Sequence, residues 1–340
     1  KELSGLVVFL RPLGLDFKAK KGRKTGLFIL LCIGVFLASF IGSAIFKLAW
    51  QDPRMKKYSV TWSEDIGTVY TDLSYGNGSA NKFDLYLPAD QGKESYGLVV
   101  YLHAGGFTTG DKSEDARMLQ WLCSKGYVAA GINYTLFSEE NPNANVYTQS
   151  MEIKQSIPFV IKEAENYGYH IDRMAMAGGS AGGCLALLYA YRDASEAPVP
   201  VKMVFEGVGP SSFYPEDWKS YGFDQNPEAA AQLFSVMSGK TITAQMFGTD
   251  DYDEIMKDIS PLLWVDENTV PTVMAYGAYD KFQPYEGSIR LDAALTAHKV
   301  PHEYIVFPHS GHGLQNDNEQ GIEYYEKILA YLNRYMETAE

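Results

Sequence analysis

The sequence predicts an α/β fold: a mostly parallel central sheet with helices on both faces and a small lid insertion late in the chain. Three observations carry that prediction. Two short alternating runs at 68–73 and 82–87 flank a glycine-rich turn, as the strands of an antiparallel hairpin do. The next run, 97–102, is continuously apolar, as a strand covered on both faces must be. From there to residue 336, strand-like and helix-like stretches alternate, the pattern of repeated βα units.

Composition bounds the rest. The 340 residues are 46% apolar and 14% aromatic, which suffices for a sizeable core and excludes a disordered chain. The net charge of −13 is unevenly spread. Residues 1–50 hold eight Lys/Arg and two acids; removing them from the totals of 29 and 42 leaves 21 basic and 40 acidic residues in the body. An acidic body argues against nucleic acid as a partner, because phosphate neutralisation needs a basic surface. Of three cysteines, Cys32 lies in an apolar segment, and Cys123 and Cys184 sit in helical contexts that suit buried, inert thiols.

The elements follow in order. After a basic segment at 1–24, all 22 residues from 25 to 46 are uncharged and most are strongly apolar, long enough for a transmembrane helix. A cleaved signal peptide, with Gly42-Ser43-Ala44 as its small-residue site, is the competing reading, which the length of the run disfavours. Lys18, Lys20, Lys21, Arg23 and Lys24 precede the run, so the positive-inside rule places the body outside the cell. Gly34, Ala38 and Gly42 share one face at a spacing of four, which suits helix pairing and a homodimer. Residues 47–65 read as a linker and 66–340 as one catalytic-sized domain.

Within that domain, a helix near 115–125 precedes a strand at 127–133, and a helix near 146–167 precedes a strand at 174–177. A helix from residue 181 leads to a strand at 201–206. Strands at 272–276 and 304–307 enclose a helix near 285–298, and a helix over 319–336 closes the pattern. Between the strands at 201–206 and 272–276 lies an irregular, aromatic-rich segment with short helices expected at 228–237 and 244–257. We expect it, at about 211–260, to form a lid over a pocket.

The chemistry centres on Gly178-x-Ser180-x-Gly182, placed where a short apolar strand turns into a helix. A serine on so sharp a turn needs glycines beside it, and the helix that follows aims its free N–H groups and dipole where negative charge would develop. The glycines fit neither a phosphate loop nor a dinucleotide fingerprint. A serine nucleophile needs a base, and the base an orienting acid. Strand C-termini share one rim of the sheet, which excludes His170, His298 and His302 at the other rim. His103 ends the strand at 97–102 and is expected only to shape its loop. His309 and His312 follow the last strand, and His312, set between Gly311 and Gly313, is preferred as the base. Asp280, just past a strand in a Gly/Pro-bounded loop, is the expected acid. Oxyanion donors are expected from the backbone N–H of Ala181 and from Gly105 and Gly106 in the turn after 97–102. No cofactor motif or metal-ligand spacing is present in the sequence.

Over residues 66–336 the chain resembles the α/β-hydrolase carboxylesterases of the hormone-sensitive-lipase-like and bacterial acetyl-esterase type. The motifs that carry the resemblance are His103-Ala-Gly-Gly-Phe107 with Gly110-Asp-Lys112, Asn133-Tyr134, Ile171-Asp172, Gly178-Gly-Ser-Ala-Gly-Gly183, Ser260-Pro261, Gly277-Ala-Tyr-Asp280 and Gly311-His-Gly313. Ala104 replaces the usual first glycine of the oxyanion loop, and Thr135 stands where arginine is usual. The resemblance implies an α/β-hydrolase fold and hydrolysis of small-molecule carboxylic esters by Ser180, His312 and Asp280. It further implies short acyl chains such as acetyl groups on sugars. A serine peptidase of the prolyl-oligopeptidase type and a non-catalytic tethered binding protein are the alternatives.

Overall fold

The computed structural model describes residues 57–337. The hairpin appears as β1 (Gly67–Ser74) and β2 (Lys82–Pro88), paired antiparallel. The strands β3 (Tyr96–Leu102), β4 (Val128–Ile132), β5 (Ile171–Gly179), β6 (Val201–Gly207), β7 (Thr272–Gly277) and β8 (His302–Phe307) follow. They join one sheet in the order β1-β2-β4-β3-β5-β6-β7-β8, antiparallel at the β1–β2 and β2–β4 interfaces and parallel at the others.

The helices are α1 (Ala116–Ser124), α2 (Val146–Asn166), α3 (Ala181–Leu188), α4 (Pro227–Ser238), α5 (Asp250–Met256), α6 (Tyr285–Ala297) and α7 (Asn318–Tyr335). Local chemistry sets their ends. Asn145 accepts from Thr148 N at 3.0 Å while Thr148 Oγ1 accepts from Asn145 N at 2.9 Å, a reciprocal cap that starts α2.

Because side chains alternate across a strand, each buried strand feeds two core layers. Leu98, Val100, Leu102, Met174 and Met176 point into one layer with Ile153 and Ile157 of α2, Leu185 of α3 and Leu291 of α6. Val99, Ala175, Ala177, Phe205 and Ile305 point into the other with Leu119 and Leu122 of α1 and Ile328 and Leu332 of α7. The continuous apolar runs are therefore the consequence of helices on both faces. Cys123 and Cys184 are buried and free, and burial pushes the Cys123 thiol up to about 12.

Strand register positions the site. Leu102 pairs with Gly178, Gly179 with Gly207, and Gly277 with Phe307, so the loops leaving β3, β5, β6, β7 and β8 emerge side by side on one rim.

The insertion between β6 and β7 has its own aromatic core. Phe234 of α4 meets Phe213, Trp218 and Phe223 edge-on at ring separations of 5.8, 5.6 and 6.0 Å. The helix expected at 228–237 is α4, capped by Asn226 and ended by Gly239 at φ +70°. The stretch 244–257 is not one helix: a short 3₁₀ turn and α5 are separated at Gly248, whose φ of +77° no helix accommodates.

Packing begins inside the segment expected to be a linker. Tyr58 stacks on Tyr325 of α7 at 4.4 Å, and Lys57 pairs with Glu326 at 2.7 Å. Among the described residues no helix is long and apolar enough to cross a membrane. The basic segment 1–24, the transmembrane helix expected at 25–46 and its Gly34/Ala38/Gly42 face lie outside the described residues.

Candidate active site

Ser180 sits between β5 and α3 at φ 52°, ψ −120°, a conformation that costs a non-glycine residue about 1–3 kcal/mol. Its N–H donates to Gly207 O at 2.8 Å, which ties the turn to β6. Both flanking glycines are required by contact. A Cβ on Gly178 would lie 2.3 Å from Gly182 O, and one on Gly182 would lie 2.0 Å from Leu102 O. The turn is thus pressed against its own helix on one side and against β3 on the other.

His312 reaches this serine from the loop after β8, with Nε2 2.9 Å from Ser180 Oγ. Its Nδ1 lies 2.7 Å from Asp280 Oδ2, and the Asp280 side chain is 1% exposed. The other oxygen, Oδ1, accepts from the N–H groups of Phe282 and Gln283 at 2.8 and 2.9 Å. A carboxylate only accepts, so the proton between Asp280 and His312 resides on Nδ1, and Nε2 is left with a lone pair facing the serine hydroxyl. The three side chains, far apart in sequence, form a continuous chain of hydrogen bonds from the buried Asp280 carboxyl to the Ser180 hydroxyl.

The remaining histidines are engaged elsewhere. His309 is 77% exposed at its side chain and bonds Asp317 through Nδ1 at 2.8 Å. His302 pairs with Asp292 at 3.0 Å at the start of β8, while His170 and His298 face Glu165 and Glu267. His103 is buried behind the loop it begins: its ring stacks on Tyr134 at 4.3 Å and Nδ1 meets Ala104 O at 2.7 Å. Burial lowers its pKa, against the opposing hydrogen bond to Ala104, so the ring stays neutral.

Gly105 and Gly106 adopt φ of +129° and +59° in that loop, and a Cβ on Gly105 would collide with Thr109 O at 2.0 Å. The carbonyl of Gly105 turns inward to accept from Thr108 N and Thr109 N at 3.1 and 3.0 Å. The N–H groups of Gly105 and Gly106 have no protein acceptor among the described residues, and Ala181, first residue of α3, has none within its helix. All three residues line one cavity of about 530 Å³ with Ser180 and His312. Phe107, Pro210 and Gln283 also line it, the 71%-exposed Phe282 stands at its mouth, and Trp218, Tyr221, Leu233 and Met237 of the insertion form its outer wall.

Three further groups support the site, and two of them, Gln149 and Glu206, have no motif behind them. Gln149 of α2 donates through Nε2 to Phe107 O and Thr135 O, both at 2.9 Å, stapling the glycine loop to the chain after β4. Asn133 binds Asp111 at 2.6 Å and accepts from Lys112 N at 2.7 Å, which fixes the far end of the same loop. Glu206, at the end of β6, accepts from Gly209 N at 2.8 Å directly behind the first turn of α3. The only sequence signal for Glu206 is an acid at the end of a mostly apolar strand. Among the described residues no group of three or more His, Cys, Asp or Glu side chains is placed to hold a metal ion.

The BD-FAE family model matches residues 83–295, which includes Ser180 and Asp280 and stops before His312. Among curated proteins the chain is similar to a kynurenine formamidase of Salmo salar, 29% identical over 134 residues, covering 39% of this chain and 42% of the relative. It is also similar to esterase LipC of Mycobacterium tuberculosis, 24% identical over 247 residues, covering 70% of this chain and 58% of the relative. The match thus spans about half the length of these relatives. Among solved structures, esterase B of Lactobacillus rhamnosis superposes with a TM-score of 0.61 at 20% identity, over 88% of this chain and 95% of the other, and so shares the fold.

Proposed function

The chain belongs to the BD-FAE family, an α/β-hydrolase family of esterases, and from that premise we propose that it hydrolyses carboxylic esters through an acyl-enzyme on Ser180. The single observation that carries the reading is the hydrogen-bonded series Ser180–His312–Asp280, at 2.9 and 2.7 Å, opening onto an apolar cavity beside unpaired backbone N–H groups.

The geometry supports the following roles. His312 Nε2 takes the hydroxyl proton as Ser180 Oγ bonds to the ester carbonyl carbon. The carbonyl π electrons move to oxygen, and the N–H groups of Gly105, Gly106 and Ala181 hold that oxyanion, a type of contact whose loss usually costs 10²–10³ in rate. The imidazolium gives its proton to the departing alkoxide, the tetrahedral adduct collapses, and an acyl-serine remains. Water, deprotonated by the same Nε2, repeats the sequence and returns the proton to Ser180. Asp280 holds the Nδ1–H tautomer and offsets the imidazolium charge.

The resemblance to acetyl-esterase-type carboxylesterases supports short acyl chains, and the acetyl ester of a sugar is the substrate we propose to try first. Replacing Ser180 by Ala is expected to lower kcat/KM for p-nitrophenyl acetate by at least about 10³-fold while circular dichroism and melting stay as in the wild type. Turnover that survives the substitution would refute the proposal. Reaction with a fluorophosphonate separates a serine hydrolase from a binding protein on the same scaffold, because only an activated serine is phosphonylated.

A further inference from the structure

The polar side chains lining the Ser180 cavity divide into committed and uncommitted groups. Trp218 Nε1–H donates to Ser212 O at 2.9 Å and Tyr221 O–H to Phe282 O at 2.8 Å, so both aromatics have their polar atoms engaged by backbone. Ser180 and His312 engage one another. Gln283 is left. It is 3% exposed and lines the same cavity, yet its side chain makes one hydrogen bond, a long 3.3 Å contact from Nε2 to the carbonyl of the adjacent Pro284. A carboxamide offers two donors and two acceptor lone pairs. One N–H and the oxygen therefore carry no protein partner among the described residues, which leaves them available to a ligand in the cavity.

The placement of this amide is tied to the reacting groups. Gln283 N–H donates to Asp280 Oδ1 at 2.9 Å, and the other oxygen of that carboxylate accepts from His312. One carboxylate thus sets the position of the base and of the amide together, which is the preorganisation that recognition requires.

We propose that Gln283 is a specificity-determining residue whose carboxamide hydrogen-bonds a hydroxyl carried by the substrate outside the scissile ester group, so that the enzyme selects hydroxyl-bearing esters over their plain alkyl counterparts. This rests on the Ser180 reading and names the substrate class for that site. A pocket built to pair a substrate hydroxyl rejects the analogue lacking it strongly, because its own buried polar group is then stranded. A wholly apolar pocket of the same shape prefers the alkyl compound.

The test compares wild type and Q283L on two matched pairs: ethyl lactate against ethyl propionate, and a monoacetylated methyl glycoside against cyclohexyl acetate. Rates are expressed as kcat/KM per site titrated with a fluorophosphonate, so a poorly folded fraction drops out, and Q283M serves if Q283L gives no titratable sites. The expected result is that the hydroxyl-to-alkyl ratio falls by about 10-fold or more in the variant in at least one pair. A fall in the lactate pair places the hydroxyl on the acyl side; a fall in the glycoside pair places it on the alcohol side. Ratios unchanged in both pairs overturn this proposal alone. If S180A hydrolysed the four esters as the wild type does, the Ser180 reading would fall, and this proposal with it.

Discussion

Glu206 is the residue whose chemistry departs furthest from its setting. It is 0% exposed next to Phe205 in a mostly apolar strand, and one of its oxygens has no hydrogen-bond partner. Burial pushes its carboxyl up to about 8, outweighing the hydrogen bond from Gly209 N–H, so it is largely a neutral acid at pH 7. An unfolded glutamate ionises near pH 4.3, so between there and pH 8 the folded state binds the extra proton. Stability associated with this group is fully present below pH 4 and is lost as the pH rises through the folded value, at up to about 1.4 kcal/mol per pH unit. E206Q keeps the shape without the titration. Urea unfolding at pH 5 and pH 8 is therefore expected to show wild type losing ground to E206Q across that interval, and a pH-independent difference would contradict this account. Nothing in the spacing of 201–206 announces such a role. It arises because β6 lies between β5 and β7, which brings the turns at Gly183 and Gly209 onto one carboxylate. Ser180, by contrast, is legible from the sequence because its glycines answer a local need: each would clash with backbone if it carried a side chain.

At the scale of elements, what could be read and what could not follow from the range of the interactions. The strands are legible because apolar runs and two-residue alternation are local consequences of burial. The helices are legible for the same reason at their longer period, and the ends of α2 and α4 because their Asn caps are local. The break at Gly248 is hidden, since a glycine in a helical pattern is compatible with continuing the helix until its φ is known. The staple from Gln149 is equally hidden: it joins the first turn of α2 to loops 42 and 14 residues away. Its amide is the shared donor for the carbonyls of Phe107 and Thr135; Phe107 O also accepts from Phe137 N at 3.1 Å, so Q149L strands the Thr135 carbonyl, at about 1–3 kcal/mol. We expect Q149L to lower the melting temperature and to reduce kcat about 10-fold or more with a smaller change in KM, because a loosened glycine loop weakens oxyanion binding more than substrate binding. Equal proportional changes in kcat and KM, or no change in kcat, would show that the loop does not depend on this staple.

For the whole molecule, the sheet order converts sequence distance into proximity. Ser180, Asp280 and His312 follow β5, β7 and β8, three parallel strands whose C-terminal ends lie on one rim, and the glycine loop follows β3 beside them. The chain order of the triad and its rim were readable from the alternation of elements. The outer wall of the cavity was not, because Trp218, Tyr221, Leu233 and Met237 take their places from packing within the insertion, where periodicity is weak. The most direct measurement is peptide mapping of the protein after reaction with a fluorophosphonate at limiting reagent. The account predicts one phosphonyl adduct per chain, on the peptide that holds Ser180, with ester hydrolysis lost in proportion to labelling. An adduct on another residue accompanied by loss of activity, or full labelling of Ser180 with hydrolysis intact, would contradict it.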